Sequence, residues 1–147
     1  MSIKTTFFED NILINSIDKN GKVFDRLSRI EGIGTETGCH IVLDVNTDIY
    51  PVSNNKAYKI LLTKSLFADD FTPNQFNYEI YLKKNNLMDS YDYVMNGKVF
   101  KLTEEKESKV AVHISFGGLI LGITGDPKHL SSLNIDERLY FLMKKAE

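Results

Sequence analysis

Apolar residues recur at every second position through much of this chain, and that period constrains the fold more than any other feature. Val110, Val112, Ile114 and Phe116 alternate with Ala111, His113 and Ser115. Successive side chains of a strand point to opposite faces, so this spacing predicts a strand with one face in a core. Gly117-Gly118 follows, and then Leu119, Leu121 and Ile123 alternate with Ile120, Gly122 and Thr124. The glycine pair suits a tight turn or a sharp bend between neighbouring strands. The same period marks Ile41 to Val45, Tyr58 to Leu62 and Tyr91 to Met95. Asn96-Gly97 then stands before Lys98 to Leu102 and predicts a hairpin turn, because both residues tolerate positive φ. Arg138 to Lys145 reads as a closing strand.

Helix signals are scarce. Asp126-Pro127 forms a cap and a first-turn proline, opening a short turn through Leu133. Gly32 to Gly38 reads as a connecting loop, and Asp69 to Ser90 as a long loop whose aromatic and apolar residues pack on this chain or on a neighbour. Many short strands with turn signals imply a sandwich or a closed barrel. A length of 147 residues fits one domain, 1–147, with 69–90 as its long loop.

Composition narrows the function. The net charge of −2 and the pI near 5.9 suit a protein partner better than a ligand held by phosphate contacts. One cysteine, Cys39, permits no internal disulfide and fits a reducing compartment. The first residues lack the apolar stretch of a signal peptide, and no run reaches the roughly 18 apolar residues of a membrane helix.

No residue pattern asks for catalysis or a cofactor. His40, His113 and His129 lie outside zinc-like spacing, and His113 reads as a surface histidine opposite an apolar strand face. Asp44 to Asp48 faintly resembles a calcium loop, but Ile49 and Asn55 replace the glycine and glutamate required at its sixth and twelfth positions. Cys39 and His40 are adjacent and would face opposite ways in a strand, so they make no dyad. The pairs Asp69-Asp70 and Glu104-Glu105 read as solvated charge. Phosphate-cradling loops and nucleophile elbows are absent.

The basic stretch from Lys19 to Arg29 is more specific. An extended Lys22-Phe24-Arg26 row would place basic groups beside an aromatic platform, as single-strand binders require. The alternative is pairing of these cations with Asp18, Asp25 and Glu31, with Phe24 in the core.

Five blocks carry a family resemblance. Asn20 to Ile30 contains Gly-Lys-Val-Phe-Asp-Arg-Leu-Ser-Arg; Leu43 to Val52, Tyr93 to Phe100, Ile114 to Leu119 with Gly125-Asp126, and Arg138 to Lys145 follow in order. Together they resemble the small common subunit shared by the eukaryotic nuclear RNA polymerases I, II and III. Gly32 to Gly38 and Asp69 to Ser90 depart from that pattern. The resemblance implies an all-β, antiparallel barrel related to the OB-fold, without catalytic residues or cofactors. It implies a structural subunit of DNA-directed RNA polymerase that docks on the largest subunit, in the nucleus and nucleolus. It further implies weak, non-specific single-stranded DNA binding through Lys22, Arg26 and Arg29. The bend Phe116-Gly117-Gly118-Leu119 is the docking edge expected under that reading, with Phe116 and Leu119 as apolar anchors. A free-standing OB-type single-strand binder is the competing function.

Overall fold

A computed structural model describes residues 6–18, 26–64 and 90–146. Eight strands close into one antiparallel barrel. In chain order they are β1 (Thr6–Ile17), β2 (Leu27–Gly34), β3 (His40–Asn46), β4 (Ala57–Thr63), β5 (Tyr93–Glu104), β6 (Val110–Phe116), β7 (Leu119–Gly125) and β8 (Arg138–Lys145). Around the barrel the order is β1-β2-β3-β7-β6-β5-β8-β4. This is the all-β, OB-like barrel that the family resemblance implies, and it decides between the sandwich and the closed barrel that the alternation left open. Among the described residues no helix is long and apolar enough to cross a membrane.

Closure depends on two long strands that each change partner. β1 pairs with β4 over Thr6 to Leu13 and with β2 over Ile12 to Ile17, with irregular steps in both registers. β5 pairs with β8 over Tyr93 to Lys98 and with β6 over Lys98 to Glu104, with a register shift between Val99 and Lys101. Such irregularities raise local twist and let a sheet curl onto itself. The inward residues, Ile12, Ile30, Ile41, Leu43, Val112 and Phe141 among them, are wholly buried in one core.

The two barrel ends differ. At one, the helical turn α1 (Pro127–Leu130) packs against β1 and β6, burying Leu130 and Leu133. Its cap is the expected one: the Asp126 carboxylate accepts from the Lys128 N–H at 3.0 Å, with Pro127 in the first turn. At the other end Tyr50, Tyr58 and Tyr93 form an aromatic plug, Tyr50 and Tyr93 stacking 5.4 Å apart.

Two local expectations are corrected. Asn96-Gly97 is not a hairpin turn. Both residues lie inside β5, opposite Tyr140 and Leu139 of β8, and neither has positive φ. Gly97 stands there because a Cβ would overlap the Phe116 ring and the Ser115 carbonyl oxygen. Gly32 to Gly38 is not all loop either: β2 runs through Gly34, and Thr35, Glu36 and Thr37 make the turn. Gly117-Gly118, by contrast, is the turn between β6 and β7, with φ of 64° and 105° as a type I′ loop requires. A Cβ on either glycine would meet nothing within 4 Å, so dihedral angle and not crowding selects them. The expected loop from Asp69 to Ser90 lies outside the described residues save for Ser90.

Candidate partner-docking site

The aromatic end of the barrel is also its open seam. β3 and β7 pair only from His40↔Thr124 to Leu43↔Leu121. Beyond that point side chains bridge the strands. Asp44 accepts from the Ile120 N–H at 3.0 Å while its two oxygens hold Arg29 at 2.8 and 3.2 Å. Tyr93 Oη accepts from the Asn46 N–H at 3.2 Å. Tyr50 Oη donates to Asp92 at 3.4 Å. Burial, and then the neighbouring Asp92 charge, push the Tyr50 phenol far above its ordinary pKa, so it stays a neutral donor.

Over this floor lies a shallow depression whose walls include Asn46, Ile49, Met95, Phe116, Gly117 and Leu119. Ile49 is 68% exposed. Its position follows from Asn46, whose side-chain oxygen accepts from the Asp48 and Ile49 N–H groups at 3.1 and 3.3 Å. That self-bonded turn holds an apolar side chain out in water. The opposite lip is the Gly117-Gly118 loop, where the Gly118 N–H donates to Ser115 Oγ at 3.3 Å.

The structure therefore brings Gly117 and Leu119 to one rim and sets Gly118 in the same loop. Phe116, expected as an anchor, is only 6% exposed and packs on Phe141 with ring centroids 5.7 Å apart. It is a wall of the depression, not a protruding anchor. Ile49, Met95 and Asn46 belong to the same surface and were not singled out in the sequence. The stretch from Asp44 to Asp48 stands in the sequence only as a rejected calcium loop and as part of the family block Leu43 to Val52, although Asn46 three residues before Ile49 is a turn signal.

Of the basic candidates, Lys22 lies outside the described residues, as do Lys19 and Phe24. Arg29 forks onto Asp44, and that hydrogen bond is the main cause of its raised pKa. Arg26, 79% exposed, sits 3.4 Å from Asp48. The partners are thus Asp44 and Asp48; Asp18 instead accepts the Arg29 backbone N–H, and Glu31 faces His40 at 3.4 Å. Among the described residues no group of His, Cys, Asp and Glu could hold a metal ion. Cys39 is buried while His40 is exposed, and burial raises the thiol pKa. His113 is half-buried, its Nδ1 fully so.

Comparison with known proteins gives one answer. Residues 9–145 match the RNA polymerase Rpb8 family. A Dictyostelium discoideum protein named DNA-directed RNA polymerases I, II, and III subunit rpabc3 is 41% identical, over 95% of this chain and 96% of its own. An Arabidopsis thaliana protein named DNA-directed RNA polymerases II, IV and V subunit 8B is 35% identical, over 99% of each chain. The Saccharomyces cerevisiae protein named subunit RPABC3 of polymerases I, II, and III is 28% identical, over 97% of this chain and all of its own.

Proposed function

The chain belongs to the RNA polymerase Rpb8 family, and from that premise we propose that it is a non-catalytic structural subunit of DNA-directed RNA polymerases which docks on the largest subunit. The whole-length match to named polymerase subunits carries the reading, and it favours a resident subunit over a free-standing OB-type binder. Sharing among polymerases I, II and III follows the Dictyostelium and yeast names, and nuclear residence goes with those enzymes; residence in the nucleolus is part of the proposal.

The docking surface in this proposal is the barrel mouth. An exposed isoleucine on a fixed turn, a half-buried leucine and a rigid diglycine loop form a preshaped apolar rim, the kind of surface that anchors an interface at low ordering cost. The test is a tagged chain purified with its polymerase under mild conditions. The parent should be present in equal amount with the largest subunit. Ile49→Glu should reduce that retention by at least about tenfold, since a central contact contributes upward of roughly 1–2 kcal/mol. The isolated variant should keep its thermal midpoint, because Ile49 already faces water. Gly118→Gln is a less clean probe: at φ 105° any side chain is strained, and stability falls with binding. Retention of Ile49→Glu at the parental level would remove the mouth from the interface.

The same proposal assigns weak, sequence-independent single-strand contact to Lys22, Arg26 and Arg29. Its support is the exposure of Arg26, whose pairing with exposed Asp48 is a loose surface contact. Arg29 is already neutralised by Asp44, which keeps affinity low. Three phosphate contacts give a log–log salt slope of about −2 on single strands. Replacing all three residues by Ala should abolish most oligonucleotide binding in fluorescence anisotropy at low salt; equal binding by the triple variant would reassign the site.

A further inference from the structure

The outer face of the barrel holds a second, smaller recess, away from the mouth. Register places Glu31, Val42, Gly122 and His113 side by side across β2, β3, β7 and β6. All four alternate with buried neighbours, so they face outward. Gly122 leaves a notch in this row. Around it stand Arg29, Val42, His113, Ile120 and Thr124, enclosing a recess of about 220 Å³.

The chain itself gives no reason for glycine at this position. Eight glycines are described. At Gly32, Gly34, Gly97 and Gly125 an added Cβ would drive into neighbouring atoms, and Gly38, Gly117 and Gly118 have positive φ. Gly122 has neither constraint: its Cβ would lie 3.4 Å from His113 Cδ2 and 3.6 Å from Nε2, an ordinary contact. A mid-strand glycine weakens a sheet, and its recurrent use is to admit a ligand or another chain closely. What this glycine preserves is the hole. His113 forms one wall, its ring 6.1 Å from Phe100 and its buried Nδ1 without a hydrogen-bond partner among the described residues, so packing rather than polar bonding sets the ring.

We propose that Gly122 keeps open a socket for one apolar side chain, flanked by a carboxylate, on a neighbouring subunit of the polymerase. This rests on the polymerase-subunit reading above. The recess is smaller than the roughly 300–1,000 Å³ of small-molecule sites, which points to a single side chain. Val42, Ile120 and the Gly122 backbone make its lining largely apolar. At the rim, Arg29 commits Nε and Nη2 to Asp44 and keeps three of its five N–H donors, which selects a carboxylate beside the apolar residue.

Tagged parent, Gly122→Ala and Gly122→Leu chains should be expressed beside an untagged parent and recovered with assembled polymerase. Gly122→Ala should hold or raise the midpoint of the isolated chain while entering polymerase less well. Gly122→Leu, which fills the recess, should be at least tenfold depleted from the complex. Thr124 replaced by benzoylphenylalanine should photo-cross-link to a polymerase segment in which an apolar residue adjoins Asp or Glu. Should Gly122→Leu lower midpoint and incorporation together, the Thr124 cross-link decides. Full incorporation of Gly122→Leu, or a cross-link only to a second copy of this chain or to an oligonucleotide, overturns the socket. Absence of the parent itself from purified polymerase would instead sink the subunit reading.

Discussion

Replacing Asp10 by Ala is expected to lower the thermal midpoint of the isolated chain by roughly 6–12 °C. Asp10 points into the barrel wall of β1 and is only 3% exposed. Its Oδ1 accepts from the Asn11 and Glu36 N–H groups at 2.7 and 3.1 Å, and its Oδ2 accepts from the Thr37 N–H and Oγ1 at 3.0 and 2.6 Å. Thr37 Oγ1 in turn accepts from the Cys39 N–H at 3.2 Å. One carboxylate therefore ties β1 to the turn joining β2 and β3. Alanine leaves the Thr37 and Glu36 donors without that acceptor in a partly buried site. Hydrogen bonds to a charged group contribute about 1.5–3 kcal/mol each before the donors find water, so a net loss near 3 kcal/mol is expected. At this chain length 1 kcal/mol moves the midpoint by about 2–4 °C. Asp10→Asn retains one oxygen acceptor and should fall less. Calorimetry that finds Asp10→Ala within about 2 °C of the parent would show that the clamp is dispensable.

Asp10 also explains why β1 was not legible in the sequence. The inward row Phe8, Asp10, Ile12, Ile14 carries a carboxylate in its second place, which breaks the apolar alternation that exposes β3, β6, β7 and β8. The partners that justify a buried acid lie 26 and 27 residues away, so no local window contains the reason. Gly32 and Gly34 mislead in the same way. They resemble loop glycines, yet they sit in β2 because a Cβ would meet the Leu13 carbonyl or the Asp10 carboxylate of β1. At the proposed docking site the diglycine turn was legible because its cause is local, a pair of positive φ values. Ile49 was not, since nothing in its neighbours states that the barrel seam opens beside it.

The second large effect separates the two kinds of glycine directly. Gly97→Val should destabilise the isolated chain by about 3 kcal/mol, near the upper end for overpacking a filled interior. The obstruction includes the Ser115 carbonyl oxygen, which is backbone and cannot swing aside as the Phe116 ring can. The clash also falls where β5 passes from one partner to the other, since Lys98, the next residue, faces both Arg138 of β8 and Ser115 of β6. Relief there means parting β5 from β6 at the point that closes the barrel. Gly118→Ala meets open space and should lose only about 1–2 kcal/mol, from φ strain alone. Asn96→Ala should stay within about 0.5 kcal/mol, because Asn96 is an exposed strand residue with ordinary φ. A two-residue hairpin loop at Asn96-Gly97 would require a different pattern. Both of its residues would need positive φ, so Asn96→Ala would be costly as well as Gly97→Val. Urea unfolding of the three variants gives the ordering. A loss at Asn96→Ala equal to that at Gly97→Val would restore the hairpin and break the continuous β5 on which barrel closure rests.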